Sequence, residues 1–276
     1  MKKLLFVFLL FMVCTASLFC AKNLSVLEQK VIDDMMMFRL DTYLLTPEET
    51  IKAVKEYKKT FLEDASKNHY SDETILIVEN YLVLEEFGSL EEINPDHPEM
   101  KPVLKAQNEK NEQWFKKHEK EEKNSWLYCS YAGIISSYLR YQSFFTKIDK
   151  GLLVKEYLEK ALEQNPDMSF AQMGLALWYY FAPAISGGSV NKSLTYYEEA
   201  VSNARNDAEL FNAKYYQSQC FFHKDKKNEY NDAMNVLKSL LPENRKVTLL
   251  EKLNKAGYTI FDYQEDRQKI YKKLGI

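Results

Sequence analysis

Glycine and proline are scarce in this sequence: of 276 residues, 8 are glycine and 7 are proline. Strand-rich folds need many turns, and these two residue types supply the backbone conformations that turns require. No segment alternates apolar and polar side chains for long enough to predict a strand. The sequence therefore predicts an all-α fold built from long helices.

Long apolar runs are missing, apart from one at the start of the chain. Residues 4–13 are apolar without interruption and follow Lys2 and Lys3. A run of this length is too short to span a bilayer, and a basic start followed by an apolar stretch is typical of a secretory signal. We therefore expect an exported protein whose remaining residues do not cross a membrane.

Two endings of this signal compete. Cleavage after Ala16 would release a soluble protein, whereas cleavage before Cys20 would leave a cysteine for lipid attachment. The residue before a lipid-modified cysteine is normally small, and Phe19 is not; some lipoproteins are looser at this position, so we favour Cys20 as the lipid attachment site. We predict a signal peptide at residues 1–19, of the lipoprotein type if Cys20 is modified. The protein would then lie in the periplasm, or be held on a membrane of the cell envelope by that lipid alone.

The sequence also lacks a net positive charge and has few cysteines. The formal net charge is −3 at pH 7, which argues against nucleic acid as a partner. Beyond Cys20 the chain has two cysteines, Cys129 and Cys220. An oxidising compartment would allow them to form a disulfide, but both sit among aromatic residues, and two buried free thiols are the simpler interpretation.

Patterns that would carry catalysis or bind a metal are missing as well. No Cys-x-x-Cys occurs, and the histidines are scattered without a pair at helical spacing, at His69, His97, His118 and His223. Gly187 and Gly188 are not followed by the Gly-Lys-Ser/Thr of a phosphate loop. Adjacent carboxylates such as Glu85 and Glu86 diverge around a helix, so we interpret them as solvated helix faces instead of an acid/base pair. We expect a protein that is not an enzyme and that uses no cofactor or metal.

The first half of the chain shows helix signals but no clear repeat. Ser25 and Thr46 each stand three residues before a glutamate, the spacing of a capping box at a helix start. Residues 75–87 form an amphipathic segment, residues 94–102 contain three prolines and should be irregular, and residues 105–123 predict a charged, solvated helix. We assign residues 20–124 to an N-terminal helical region, made either of degenerate repeats or of a helical cap.

From residue 125 onward, aromatic and small residues dominate. Residues 126–139 are apolar nearly all round, which predicts a central helix with neighbours on both flanks. Two later segments then align, placing Ala161 and Ala200 at the same position 39 residues apart. Gly174 fits the small first-helix position between them, because small side chains let two helices approach closely. A third unit carries Ala233.

This pattern is typical of degenerate tetratricopeptide repeats, in which one helix pair cannot bury its apolar face alone and several must stack. We predict antiparallel helix pairs stacked as a superhelix over residues 125–242. Residues 243–276 would form C-terminal capping helices.

Four consecutive aromatic residues precede a break at Pro183, namely Trp178, Tyr179, Tyr180 and Phe181. A helix turns about 100° per residue, so they cannot all face one core. At least one should line a groove, a pore or an interface. For each residue individually, ordinary core packing is the alternative.

Residues 175–194 resemble the T component of TRAP-type transporter systems, a family known from treponemes. The resemblance rests on the aromatic helix, Pro183, the loop with Gly187 and Gly188, and the repeat helix that follows; it is clearest over residues 125–241. It implies an envelope lipoprotein of degenerate tetratricopeptide helices that docks a periplasmic solute-binding protein, the P component. It also implies a homotrimer around a central pore and the handling of a hydrophobic ligand, for which residues 178–181 are the candidates.

Two functions follow as expectations. The first is a non-catalytic component of a TRAP-type transport system, and it depends mainly on the resemblance. The alternative is a general periplasmic scaffold that holds a protein or peptide partner in the concave face of its superhelix.

Overall fold

The computed structural model describes residues 23–275, so the predictions for the signal peptide and for Cys20 lie outside the described residues. Within that range the chain forms α-helices and short 3-10 turns without a strand, which confirms the all-α prediction. The helices are α1 Val26–Asp41, α2 Pro47–Asn68, α3 Asp72–Ile93, α4 Met100–Lys117, α5 Ser125–Tyr138, α6 Phe144–Gln164, α7 Ser169–Phe181, α8 Val190–Ser202, α9 Asp207–His223, α10 Lys227–Leu240, α11 Arg245–Lys255, α12 Ile260–Glu265 and α13 Arg267–Leu274.

Both predicted capping boxes are present. The Ser25 and Thr46 side chains accept the backbone N–H of Glu28 and Glu49, each at 3.2 Å, and the two glutamates accept hydrogen bonds in return. Glu28 also accepts the Ser71 backbone N–H at 3.0 Å. The start of α1 is therefore joined to the start of α3.

The helices pack as consecutive neighbours. α6 contacts both α5 and α7, α8 contacts both α7 and α9, and α10 contacts α9. The alternate helices α5, α7 and α9 are also in contact: α5 contacts α7, and α7 contacts α9. Consecutive helices therefore pack against each other, while stacked antiparallel pairs in a tetratricopeptide superhelix stay a prediction.

Five of the helices form a series of contacts that closes on itself. α1 contacts α3, α3 contacts α5, and α9 at the other end of the series contacts α1. At this closure the Tyr43 hydroxyl donates to Asn212 Oδ1 at 3.1 Å, and the Tyr43 ring lies 5.6 Å from that of Phe211. Helices α1, α3, α5, α7 and α9 therefore form a closed ring, with α1 between α3 and α9.

The small positions of the repeat pattern lie where helices approach closely. Ala161 and Ala200 are fully buried, and Ala233 is nearly so. A Cβ atom added to Gly174 of α7 would lie 2.5 Å from Cδ2 of Leu158 in α6. Glycine at this position is therefore what allows α6 and α7 to pack at this distance.

Three expectations for the first half need correction. Residues 75–87 belong to α3, which is buried nearly all round instead of being amphipathic. Glu85 is 5% exposed, so the interpretation of this residue as part of a solvated face was wrong. The irregular stretch ends at Glu99, because Pro102 lies in the first turn of α4, where a backbone N–H needs no helical partner.

Candidate functional site

The four aromatic residues at the end of α7 contact four different helices, α6, α8, α9 and α12. Trp178 lies against α6, where its Nε1–H donates to the Gly151 carbonyl at 2.8 Å and Lys155 Nζ lies 5.4 Å from the ring centroid. Tyr179 stacks on Tyr196 of α8, with ring centroids 5.4 Å apart. The first two aromatic residues of the group therefore diverge to opposite neighbours.

Tyr180 and Phe181 both contact Phe261 of α12, at centroid distances of 3.8 and 5.8 Å. The Tyr180 hydroxyl also lies 3.2 Å from Nδ1 of His223, and burial raises the Tyr180 pKa. Phe181 is 38% exposed. A pore or ligand role for this group stays a prediction.

The loop between α7 and α8 is shaped by the predicted residues. Pro183 precedes a 3-10 turn, Gly187 has a φ of +91°, and a Cβ atom on Gly188 would collide with the Ala182 carbonyl oxygen. Both glycines are therefore required by the backbone. The tip of this loop carries Ile185, which is 97% exposed.

An unpredicted apolar surface lies on the first half of α6. Its four members are 71%, 79%, 48% and 54% exposed, in the order Phe144, Phe145, Ile148 and Leu152. Their spacing places them along one side of the helix. The buried stripe of the same helix consists of Val154, Leu158 and Ala161. We refer to the four exposed residues as the α6 apolar strip.

A second unpredicted feature is a cavity of about 180 Å³ at the ring closure. It lies among α1, α3, α9 and the three C-terminal helices α11, α12 and α13. Its charged lining residues are Arg39, Glu85, Glu91, Glu92, Lys246 and Arg267. We call it the charged cavity. Its residues come from both ends of the chain, so no local motif could have predicted it.

Each carboxylate of the charged cavity is paired. Glu85 Oε2 accepts from Arg39 Nε at 3.2 Å, and Glu85 Oε1 accepts from the Thr42 hydroxyl at 3.0 Å. Glu91 lies 2.6 Å from Arg140 Nη1 and 2.9 Å from Arg267 Nη2.

Glu92 has two basic partners from α11. It accepts from Arg245 Nε at 2.8 Å and also pairs with Lys246. Burial alone would raise its pKa, but the two cations outweigh burial and lower the pKa to about 2. Glu92 is therefore ionised at neutral pH.

The two cysteines do not provide a nucleophile. Cys129 and Cys220 are buried free thiols, which confirms the simpler interpretation. Burial raises the pKa of each to about 12, so neither is a thiolate at neutral pH.

No protein-family model matches this chain, and a search among curated proteins finds no match. Within residues 23–275 there is no group of three side chains that could hold a metal ion. None of the helices in that range has the length and apolar character needed to cross a membrane. The candidate sites are therefore the α6 apolar strip, the charged cavity and the aromatic end of α7.

Proposed function

We propose that this chain is an exported, non-catalytic component of a TRAP-type transport system, which docks a periplasmic solute-binding protein through the α6 apolar strip. The observation that carries the proposal is the exposure of this strip, since large apolar side chains grouped on one face of a surface helix often mark a protein contact. The homotrimer and the hydrophobic ligand belong to the same proposal through the family resemblance.

The neighbourhood of the strip supports a docking role. The bond between Trp178 and Gly151 places the end of α7 beside the first half of α6. The exposed Ile185 follows four residues after α7 ends. Aromatic side chains such as Phe144 and Phe145 commonly supply most of the binding energy of an interface.

A general scaffold that holds a peptide in a concave groove has less support. An open superhelix would expose its concave inner face to a peptide. In the described residues α1 lies between α3 and α9 and contacts both, so the series of helices is closed there. Recognition on the outer surface, such as the α6 apolar strip, does not need that groove.

The test is a pull-down of the tagged mature protein from its native envelope, with light scattering to count subunits. The double variant Phe145→Glu/Ile148→Glu changes the strip at well-exposed positions. The control is Val26→Glu/Leu62→Glu, because these apolar residues are 91% and 39% exposed elsewhere.

We expect the wild type and the control to recover a protein identified as a periplasmic solute-binding protein. Recovery by the strip variant should fall at least about tenfold, the loss typical of interface anchor residues. Equal recovery by the strip variant would remove the α6 apolar strip from the proposal. A monomer that recovers only unrelated proteins would overturn the transporter function itself.

A further inference from the structure

The ion pairs at the charged cavity contain more basic than acidic side chains. Five basic side chains pair with three carboxylates, in the groups Arg39 with Glu85, Arg140 and Arg267 with Glu91, and Arg245 and Lys246 with Glu92. The cavity lining itself holds three cations and three carboxylates, and the surplus comes from Arg140 and Arg245, which pair with lining carboxylates without lining the cavity. A net positive charge of these pairs favours an anion beside them.

Two buried donors of these arginines have no hydrogen-bond partner among the described residues. They are Arg267 Nε and Arg245 Nη2. The Arg267 side chain lines the cavity, is 12% exposed and touches Glu91 through Nη2 alone. An unsatisfied buried donor destabilises the folded protein, so an acceptor in the cavity would offset that cost.

Aromatic side chains form another part of the wall. Tyr215 is 6% exposed, its ring stacks on that of Phe211 at 6.3 Å, and the Tyr43 ring also faces the cavity. Burial raises the pKa of Tyr215 well above its ordinary value. Its hydroxyl therefore stays protonated, and the cavity wall has a neutral aromatic side chain as well as cationic ones.

Gly88 borders this space. It lies inside α3 and lines the cavity, and a Cβ atom added to it would meet no heavy atom within 4 Å. This position therefore has room for a larger side chain.

We infer that the charged cavity binds a small organic anion, with its carboxylate at the Arg267 guanidinium and a planar body against Tyr215. A volume of about 180 Å³ is far more than the roughly 10–15 Å³ that one water needs, and it suits a compact ligand. This inference does not depend on partner docking, because α6 contributes no residue to the cavity.

The test is calorimetric titration of the full mature protein with benzoate, neutral benzamide and inorganic phosphate. Two variants probe the site: Gly88→Leu fills the cavity without changing charge, and Arg267→Gln removes the proposed carboxylate contact. The matched controls are Gly151→Ala, a helix glycine with open space around it, and Lys255→Gln, an exposed cation outside the cavity.

We expect saturable one-to-one binding of benzoate, with benzamide and phosphate at least about tenfold weaker. Each cavity variant should weaken benzoate binding at least about tenfold, while both controls should bind as the wild type does. Circular dichroism checks that the variants fold. Absence of saturable benzoate binding would overturn the inference, and so would wild-type benzoate affinity in a folded Gly88→Leu protein. If phosphate bound as tightly as benzoate, the claim that the anion is organic would be overturned.

Discussion

Helices α3 and α7 both belong to the closed ring of helices, but different interactions allow each of them to be buried. α3 carries four buried glutamates at intervals of six residues, at Glu73, Glu79, Glu85 and Glu91. α7 contains no charged residue, and it packs through Gly174 and its terminal aromatic side chains. The burial of α3 depends on partners for its charged side chains, whereas the burial of α7 depends on close packing of side chains.

The partners of α3 come from many other parts of the chain. Glu73 accepts the Asn124 backbone N–H at 2.6 Å, and Glu79 pairs with Lys58 and Lys110. A buried charge without its partner is costly, so these pairs favour the native arrangement of the helices over shifted ones. The comparison predicts that removing a buried, paired glutamate of α3 has a larger effect than a single change in α7.

The largest effect is expected for Glu85→Ala. The substitution leaves Arg39, whose side chain is 15% exposed, without its carboxylate. Breaking a buried ion pair from one side typically costs about 3–5 kcal/mol. We expect the free energy of unfolding, measured by urea titration, to fall by about that amount.

The control is the neighbouring carboxylate. Glu86 lies 3.5 Å from Lys55, whose side chain is 61% exposed, and such surface pairs contribute about 0–1 kcal/mol. Glu86→Ala should therefore have a small effect. Similar losses for the two variants would show that burial of the Arg39 and Glu85 pair does not distinguish these positions.

The sequence predicted local features better than distant pairings. The helix starts at Ser25 and Thr46 were predicted because a capping box involves residues only three apart. The sequence predicts a solvated face at Glu85, because the residues around it carry no information about Arg39, which lies 46 positions earlier. The charged cavity was missed for the same reason, since Arg267 reaches α3 only when the ring closes.

The sequence does contain a signal for the α6 apolar strip. Phe144, Phe145, Ile148 and Leu152 fall outside the stripe that Val154 and Leu158 share with the core. Apolar residues beyond the width of one buried face predict a second contact surface. Which of the two faces would be covered by neighbouring helices depended on the packing of α5 and α7.

A pH titration of stability gives the next largest effect. The Glu92 pKa is lowered to about 2 in the folded protein, from an ordinary value of about 4.5. A carboxyl group with a lowered folded pKa stabilises the protein above its unfolded pKa, and this contribution is lost as the pH falls toward the folded pKa. The shift corresponds to about 3 kcal/mol above pH 4.5.

The variant Glu92→Gln isolates this contribution. At pH 7 we expect its free energy of unfolding to be up to about 3 kcal/mol below that of the wild type. The difference should shrink as the pH falls from about 4.5 to about 2, because the wild-type carboxyl group then becomes protonated. A difference that stays constant over this window would show that Arg245 and Lys246 do not lower the Glu92 pKa.

The smallest effect is expected at α7, where volume and not charge is at stake. Gly174→Val would force side-chain atoms into Leu158, which is 3% exposed, and overpacking of this kind costs about 1–3 kcal/mol. Gly151→Ala in α6 has open space and should instead stabilise the protein by up to about 1 kcal/mol. Urea titrations of both variants should therefore shift in opposite directions. A shift of both in the same direction would mean that helix propensity, and not the approach of α6 to α7, decides the residue at position 174.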